Sequence, residues 1–130
     1  MGDSGTRKLQ RGSATGGTFS ERFSASLVLV AGGAEGSEFP LEKPCTTVGR
    51  GPDVDLPFPD DAMSRQHAAF EVQPMGVRVR DMGSTNGTHV NGEPVASADL
   101  KHGDKVTIGE HCFQYVVEER ERSKRAFKVH

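Results

Sequence analysis

Between residues 23 and 118 the apolar side chains come in runs of four to seven, broken by Gly, Pro, Asn or Asp at intervals near ten residues. Runs that short leave no room for an amphipathic helix, and no stretch sustains a 3.6-residue period. Phe70/Val72, Val77/Val79, Val106/Ile108 and Phe113/Tyr115/Val117 alternate with polar neighbours, the pattern of half-buried strands. Leu27 to Val30 is unbroken, which predicts a strand covered on both faces. Sixteen glycines and seven prolines supply the turns such a chain needs. The pattern predicts an all-β fold, a β-sandwich of two packed sheets.

Two turns can be typed. Asn91-Gly92, between Thr88-His89-Val90 and Glu93-Pro94-Val95, suits a type I′ hairpin because both central positions need positive φ. Pro94 then belongs on an edge strand, where its missing N–H costs nothing. Lys101-His102-Gly103-Asp104 and Gly109-Glu110 hand the chain through a terminal β-meander.

At 130 residues the chain is long enough for one compact domain. Residues 1–22, rich in Gly, Ser and Thr, bury too little apolar surface to offset chain entropy and are expected to be a flexible tail. Residues 23–118 are the expected domain, and the charge-dense residues 119–130 a tail or linker. No apolar run approaches the roughly 20 residues of a membrane helix, and the start lacks a signal-peptide h-region. A cytoplasmic protein is expected. Cys45 and Cys112 fit no metal-binding or C-x-x-C spacing. Two buried thiols are the default, with a disulfide left open.

The formal net charge of −2 is unevenly spread. Residues 23–117 hold thirteen acidic and seven basic side chains, a net −6, while both termini are basic. A body of that sign repels nucleic acid, which binds by neutralising many phosphates at once. Neither nucleic acid nor a membrane is an expected partner. An anion bound here must be held by a few well-placed groups against the field of the whole domain.

Three loop segments hold polar residues seldom needed merely to turn a chain: Gly49-Arg50, Ser64-Arg65-Gln66-His67 and Ser84-Thr85-Asn86-Gly87. Each falls at a strand end, so all three can meet on one rim. Two guanidinium groups, hydroxyls and an amide, without a paired base or nucleophile, suit a phosphoryl group. Arginine donates in a planar fork that matches phosphate oxygens.

The order GR (49–50), SRQH (64–67), D-x-x-STNGT (81–88), VNG (90–92) and LKHGDKVTIG (100–109) resembles the forkhead-associated (FHA) domain. The likeness covers roughly residues 25–118. It implies a sandwich of about eleven strands that binds phosphothreonine in a partner protein, with a Ser/Thr kinase or its substrate as partner. It implies neither catalysis nor a cofactor. By that resemblance Arg50 and Ser64 contact the phosphate, Arg65 faces it, Thr85 adds a loop contact, and Asn86 holds the peptide main chain. Gly49, His67 and Gly87 resemble the structural positions of the family. Asp81 and Ser84 are expected to hydrogen-bond within their own loop.

The approach to Ser64, Asp60-Asp61-Ala62-Met63, departs from many members by offering no cation, and its two aspartates, Asp60 and Asp61, are expected to face the peptide and disfavour an acidic residue. An apolar or basic peptide residue three positions after the phosphothreonine is therefore expected. Ser64, His67 and Asp81 do not make a hydrolase triad. In an extended segment Ser64 and His67 would stand roughly 10 Å apart on opposite faces, and no G-x-S-x-G elbow is present. His89, His102, His111 and Cys112 lack zinc-ligand spacing, so no metal is expected. A phosphorylated tail threonine, Thr15 or Thr18, is a candidate intramolecular ligand that would fold back onto the rim. The alternative to phosphate recognition is a constitutive interaction or self-association module, indifferent to phosphorylation.

Overall fold

The computed structural model describes residues 17–120. One helical turn, α1 (Phe19–Arg22), precedes eleven strands. These are β1 (Phe23–Ala31), β2 (Glu38–Pro40), β3 (Cys45–Gly49), β4 (Leu56–Pro57), β5 (Ala68–Gln73) and β6 (Gly76–Asp81), then β7 (Thr88–Val90), β8 (Glu93–Val95), β9 (Ser97–Asp99), β10 (Lys105–Ile108) and β11 (His111–Glu119). They form a six-stranded sheet, β2-β1-β11-β10-β7-β8, and a five-stranded sheet, β4-β3-β5-β6-β9. Every pair is antiparallel except β3 with β4.

The core lies between the sheets. Leu27, Leu29, Val106, Ile108, Phe113 and Tyr115 point inward from the first, and Val48, Phe70, Val77 and Val79 from the second. Met63, on a loop, is buried among them at 1% exposure. The alternation expected of these strands is present. The continuous run Leu27 to Val30 is not covered on both sides: Leu27 and Leu29 are buried, Val28 is half-buried and Val30 is exposed. Its outer face is the solvent-facing side of an antiparallel sheet, with no strand or helix over it among the described residues.

Asn91 has φ 52° and Gly92 φ 86°, and Val90 pairs with Glu93 across them, as a two-residue type I′ hairpin requires. Pro94 lies on β8, an edge of its sheet. Cys45 and Cys112 are both free thiols and both half-buried, not buried. Their neighbours in the strand alternation, Thr46 and Phe113, take the inward positions, which leaves the cysteines on the outer faces of two different sheets. With the sandwich between them, a disulfide has no geometry to form.

Phe19–Arg22, assigned from composition to the tail, is an ordered turn of helix. The Glu21 carboxylate accepts the Thr18 N–H at 3.0 Å, and the Phe19 N–H donates to the Pro74 carbonyl between β5 and β6. Phe19 packs on the core edge, which is apolar burial that composition averages away. The remainder of both expected tails, residues 1–16 and 121–130, lies outside the described residues. Among the described residues no helix is long and apolar enough to cross a membrane.

Pairing places the functional loops together. Val48 opposes Ala68, Ala68 opposes Asp81, and Ile108 opposes both Thr88 and His111, so the chain ends flanking these residues share one rim. The helical turn α1 sits at the other end, beside the β5–β6 turn.

Candidate functional site

The first loop leaves β3 at Gly49. The N–H groups of Arg50 and Gly51 donate to the carbonyls of Ser64 and Arg65 at 2.9 and 3.1 Å, so the first two loops are laced backbone to backbone. That approach needs glycine, because a Cβ on residue 49 would lie 2.1 Å from the Arg65 carbonyl oxygen. Behind Arg50, the Asp55 carboxylate accepts the Thr47 N–H and hydroxyl at 2.8 and 3.0 Å and pairs with Lys43. The Lys43 contact, then the two Thr47 donors, pull its pKa down to about 2.

The second loop is held at both ends by buried polar groups. Asp60 accepts the Ala62 N–H at 2.8 Å, and His67, fully buried, accepts the Ser64 N–H on Nδ1 at 3.0 Å. Because Nδ1 accepts, Nε2 carries the hydrogen and donates to the Gly87 carbonyl at 2.8 Å. His67 thus ties the second loop to the third.

The third loop winds around Asp81. Its carboxylate accepts the N–H groups of Gly83 and Ser84 and the hydroxyls of Ser84 and Thr88, and the Ser84 hydroxyl in turn accepts the Gly87 N–H at 2.9 Å. Burial pushes the Asp81 carboxyl up, but these donors outweigh it and hold it below the usual carboxylate range. Gly87, at φ 86°, supplies the left-handed step that brings the chain into β7.

Arg50, Asp61, Ala62, Met63, Ser64, Arg65, Thr85 and Asn86 line a cavity of about 330 Å³ where the three loops meet. What each polar group has left to offer is set by what it already binds. The Arg50 Nε donates to the Met63 carbonyl at 3.1 Å, leaving both terminal nitrogens of the fork. The Ser64 hydroxyl accepts the Thr85 N–H at 2.9 Å and keeps its own proton to donate. Asn86 donates one amide hydrogen to the Ala62 carbonyl at 2.9 Å and keeps a second N–H and its carbonyl oxygen. Arg65 and the Thr85 hydroxyl are exposed. Lys43, Arg78 and Arg80 are each paired with a carboxylate, at Asp55, Asp99 and Glu71, whereas Arg50 and Arg65 pair with none among the described residues. The rim therefore presents unneutralised guanidinium charge and free hydroxyl donors, which suits an oxyanion with several acceptor oxygens.

All five residues expected to touch the phosphopeptide stand together at this cavity, and Gly49, His67, Asp81, Ser84 and Gly87 stand behind it. Two expectations are corrected, and the ground against a Ser64–His67–Asp81 triad is a different one. Residues 64–67 are not extended: they curl so that the Ser64 N–H meets the His67 ring. Both ring nitrogens are engaged, so the imidazole has no nitrogen left to take a proton from the Ser64 hydroxyl.

Asp60 does not face the ligand cavity. It is buried at 6% exposure and bonded to Ala62, Glu110 and His111, leaving Asp61 as the only one of the two aspartates that lines the site. A local reading of Asp60-Asp61 had no means to show this, because His111 lies 51 positions away.

Thr18 is not placed to fold back. It starts α1, at the end opposite the rim, and β5 alone separates these ends by roughly 20 Å at about 3.3 Å per residue. Thr15 lies outside the described residues.

Residues 46–109 match the family model described as FHA domain. The glycogen accumulation regulator GarA of Mycolicibacterium smegmatis is 49% identical over 86 residues, 66% of this chain and 54% of that protein. This chain thus spans about half the length of that relative. Among solved structures, Mycobacterium tuberculosis EmbR in complex with a low-affinity phosphopeptide is similar at 30% identity and a TM-score of 0.67, over 72% of this chain and 24% of that one. The FhaA FHA domain, solved in complex with the intracellular domain of another protein, is similar at 32% identity and a TM-score of 0.63, over 73% of this chain and all of that one, 100%.

Proposed function

This chain belongs to the FHA domain family, in which phosphothreonine-dependent interactions are described for a similar domain, and we propose that its rim captures a phosphothreonine side chain of a partner protein in kinase-linked signalling. The observation that carries the reading is the pair of arginines, Arg50 and Arg65, with no acidic partner among the described residues, at one cavity with the Ser64 and Thr85 hydroxyls.

A phosphothreonine brings about −1.5 to −2 charges at neutral pH and three acceptor oxygens. Arg50 meets it with the two terminal nitrogens that the Met63 carbonyl leaves free, and Ser64 with its hydroxyl proton. Arg65 and Thr85 supply further donors, and Asn86 turns its remaining N–H and carbonyl to the peptide main chain. Charge-assisted hydrogen bonds contribute roughly 1.5–3 kcal/mol each, enough to exceed the screened repulsion of an acidic body. After ordering costs, a short phosphopeptide binds at about micromolar Kd. The chain acts by binding and carries out no chemistry of its own.

The reading is tested by titrating a degenerate phosphothreonine peptide pool against wild type and Arg50→Ala. Binding that is lost in the variant, and lost on phosphatase treatment of the peptides, is the expected result. Peptide binding that ignores both changes would instead point to a constitutive interaction module.

A further inference from the structure

Of the ligand-facing residues, Arg50, Thr85 and Asn86 lean on one short segment, Ala62-Met63-Ser64, which itself carries the Ser64 hydroxyl. Its Ala62 carbonyl accepts from Asn86, its Met63 carbonyl from the Arg50 side chain, its Ser64 carbonyl from the Arg50 N–H, and its Ser64 hydroxyl from the Thr85 N–H. A segment that aims four groups must itself be held. Downstream it is held by His67, as the motif suggested. Upstream the hold comes from a different sheet.

There, Asp60 and His111 form a buried pair, with Oδ2 of Asp60 2.7 Å from Nδ1 of His111 and side-chain exposures of 4% and 10%. The same Oδ2 accepts the Glu110 N–H at 2.8 Å, while Oδ1 accepts the Ala62 N–H at 2.8 Å. One carboxylate therefore joins the start of the phosphate-facing segment to the β10–β11 turn. The fit is close: a Cβ on Gly109 would lie 2.6 Å from Oδ2. The imidazole is fixed from its other side by the Phe58 ring, 4.7 Å away between centroids.

We propose that Asp60 and His111 are positioning residues for phosphothreonine binding, which set the Ala62–Ser64 segment at the height where Arg50, Ser64, Thr85 and Asn86 converge. The proposal rests on the reading of the rim as a phosphothreonine site. Neither residue touches the ligand, and the pair acts through the carbonyls of Ala62 and Met63. A site in which donors must hold their geometry within about half an ångström loses affinity when its support loosens. The support here is a carboxylate that can accept three hydrogen bonds at once. An amide in its place has one acceptor oxygen and turns an NH2 group towards donors.

The test uses the full chain and a phosphothreonine peptide taken from a degenerate pool, with Kd measured for wild type, Arg50→Ala, Asp60→Asn, His111→Phe and His111→Asn. Asp60→Asn and His111→Phe are each expected to weaken binding about tenfold while the protein stays folded. His111→Asn, whose amide nitrogen takes the place of Nδ1 and keeps an N–H donor for Asp60, is expected to return affinity to within about threefold of wild type, although it packs less well against Phe58 than phenylalanine does. A purely structural role would reverse that order. The Asp60→Asn/His111→Phe double variant is expected to bind no worse than Asp60→Asn alone, since both substitutions break one unit.

Wild-type affinity in folded Asp60→Asn overturns the proposal, as does equal affinity of the His111→Phe and His111→Asn variants. That second comparison decides the matter if Asp60→Asn fails to fold. Wild type that binds and Arg50→Ala that does not, with Asp60→Asn unaffected, overturns this proposal and leaves the phosphothreonine reading standing. Wild type that binds no phosphothreonine peptide overturns both.

Discussion

The Nε of Arg50 donates to the main-chain carbonyl of Met63 at 3.1 Å, so the central cation of the proposed phosphothreonine site is aimed by a residue whose side chain is sealed in the hydrophobic core at 1% exposure. One edge of the guanidinium is spent on positioning and the other remains for ligand. Lysine has no second edge: its ammonium can reach the carbonyl or the phosphate, but does not hold the two in fixed relation. Arg50→Lys is therefore expected to lose at least tenfold in phosphopeptide affinity with an unchanged melting temperature, as calorimetric titration and thermal denaturation would show. Met63→Ala is expected to lower both, with a stability loss of about 2–5 kcal/mol from the core cavity.

Gly49 is set by space, not by φ. A methyl group there would sit 2.1 Å from the Arg65 carbonyl oxygen and 3.0 Å from that of Ser64, and both are main-chain atoms that cannot swing away. Gly49→Ala should force the first two loops apart, destabilising the fold by about 1–3 kcal/mol and weakening phosphopeptide binding beyond what Arg65→Ala alone does. Urea denaturation paired with peptide titration checks both. Gly36→Ala, at a glycine with no atom within 4 Å of the added Cβ but φ of 93°, should affect stability through backbone strain and leave binding unchanged.

Acid should weaken the fold through specific carboxylates. Asp60 and Asp81 are both pushed up by burial and pulled further down by their donors: Glu110, His111 and Ala62 for the first, Ser84, Thr88 and Gly83 for the second. A carboxyl whose folded pKa lies below its unfolded value adds stability that is fully present above about pH 4 and is lost as pH falls through the lowered folded value. The urea midpoint of wild type should therefore fall below pH 4. Asp81→Asn should start lower at neutral pH and fall less steeply. Equal slopes for the two proteins would contradict this account of Asp81.

The two cysteines lie on opposite outer faces, each half-buried. Reductant should leave the melting temperature unchanged, and oxidation should yield no intramolecular disulfide by mass spectrometry. Both thiols should react with a small thiol reagent in the native state, more slowly than in urea.

Much of the architecture was legible because its signals are local. Alternating apolar positions mark the strands, and Asn91-Gly92 marks a hairpin whose positive φ angles the backbone adopts. The loop motifs were readable for the same reason: Asp81 bonds to Gly83, Ser84 and Thr88, all within seven positions. Leu27 to Val30 misled because a run of apolar residues records what a strand contains and not what lies over it. Asp60 misled because its partners, Glu110 and His111, are 50 and 51 positions away.

The amino-acid order by itself determined that this chain would be a turn-rich β-sandwich with GR, SRQH and STNG at strand ends, since side-chain alternation and turn chemistry act over a few residues. Only the tertiary structure decided which donors remain free to meet a phosphate. Arg50 is aimed by a core methionine, Asn86 is half spent on Ala62, and Asp60 is turned inward onto His111. A polar group binds a ligand only with what its neighbours leave unused, and those neighbours are brought to it by sheet pairing from distant parts of the chain.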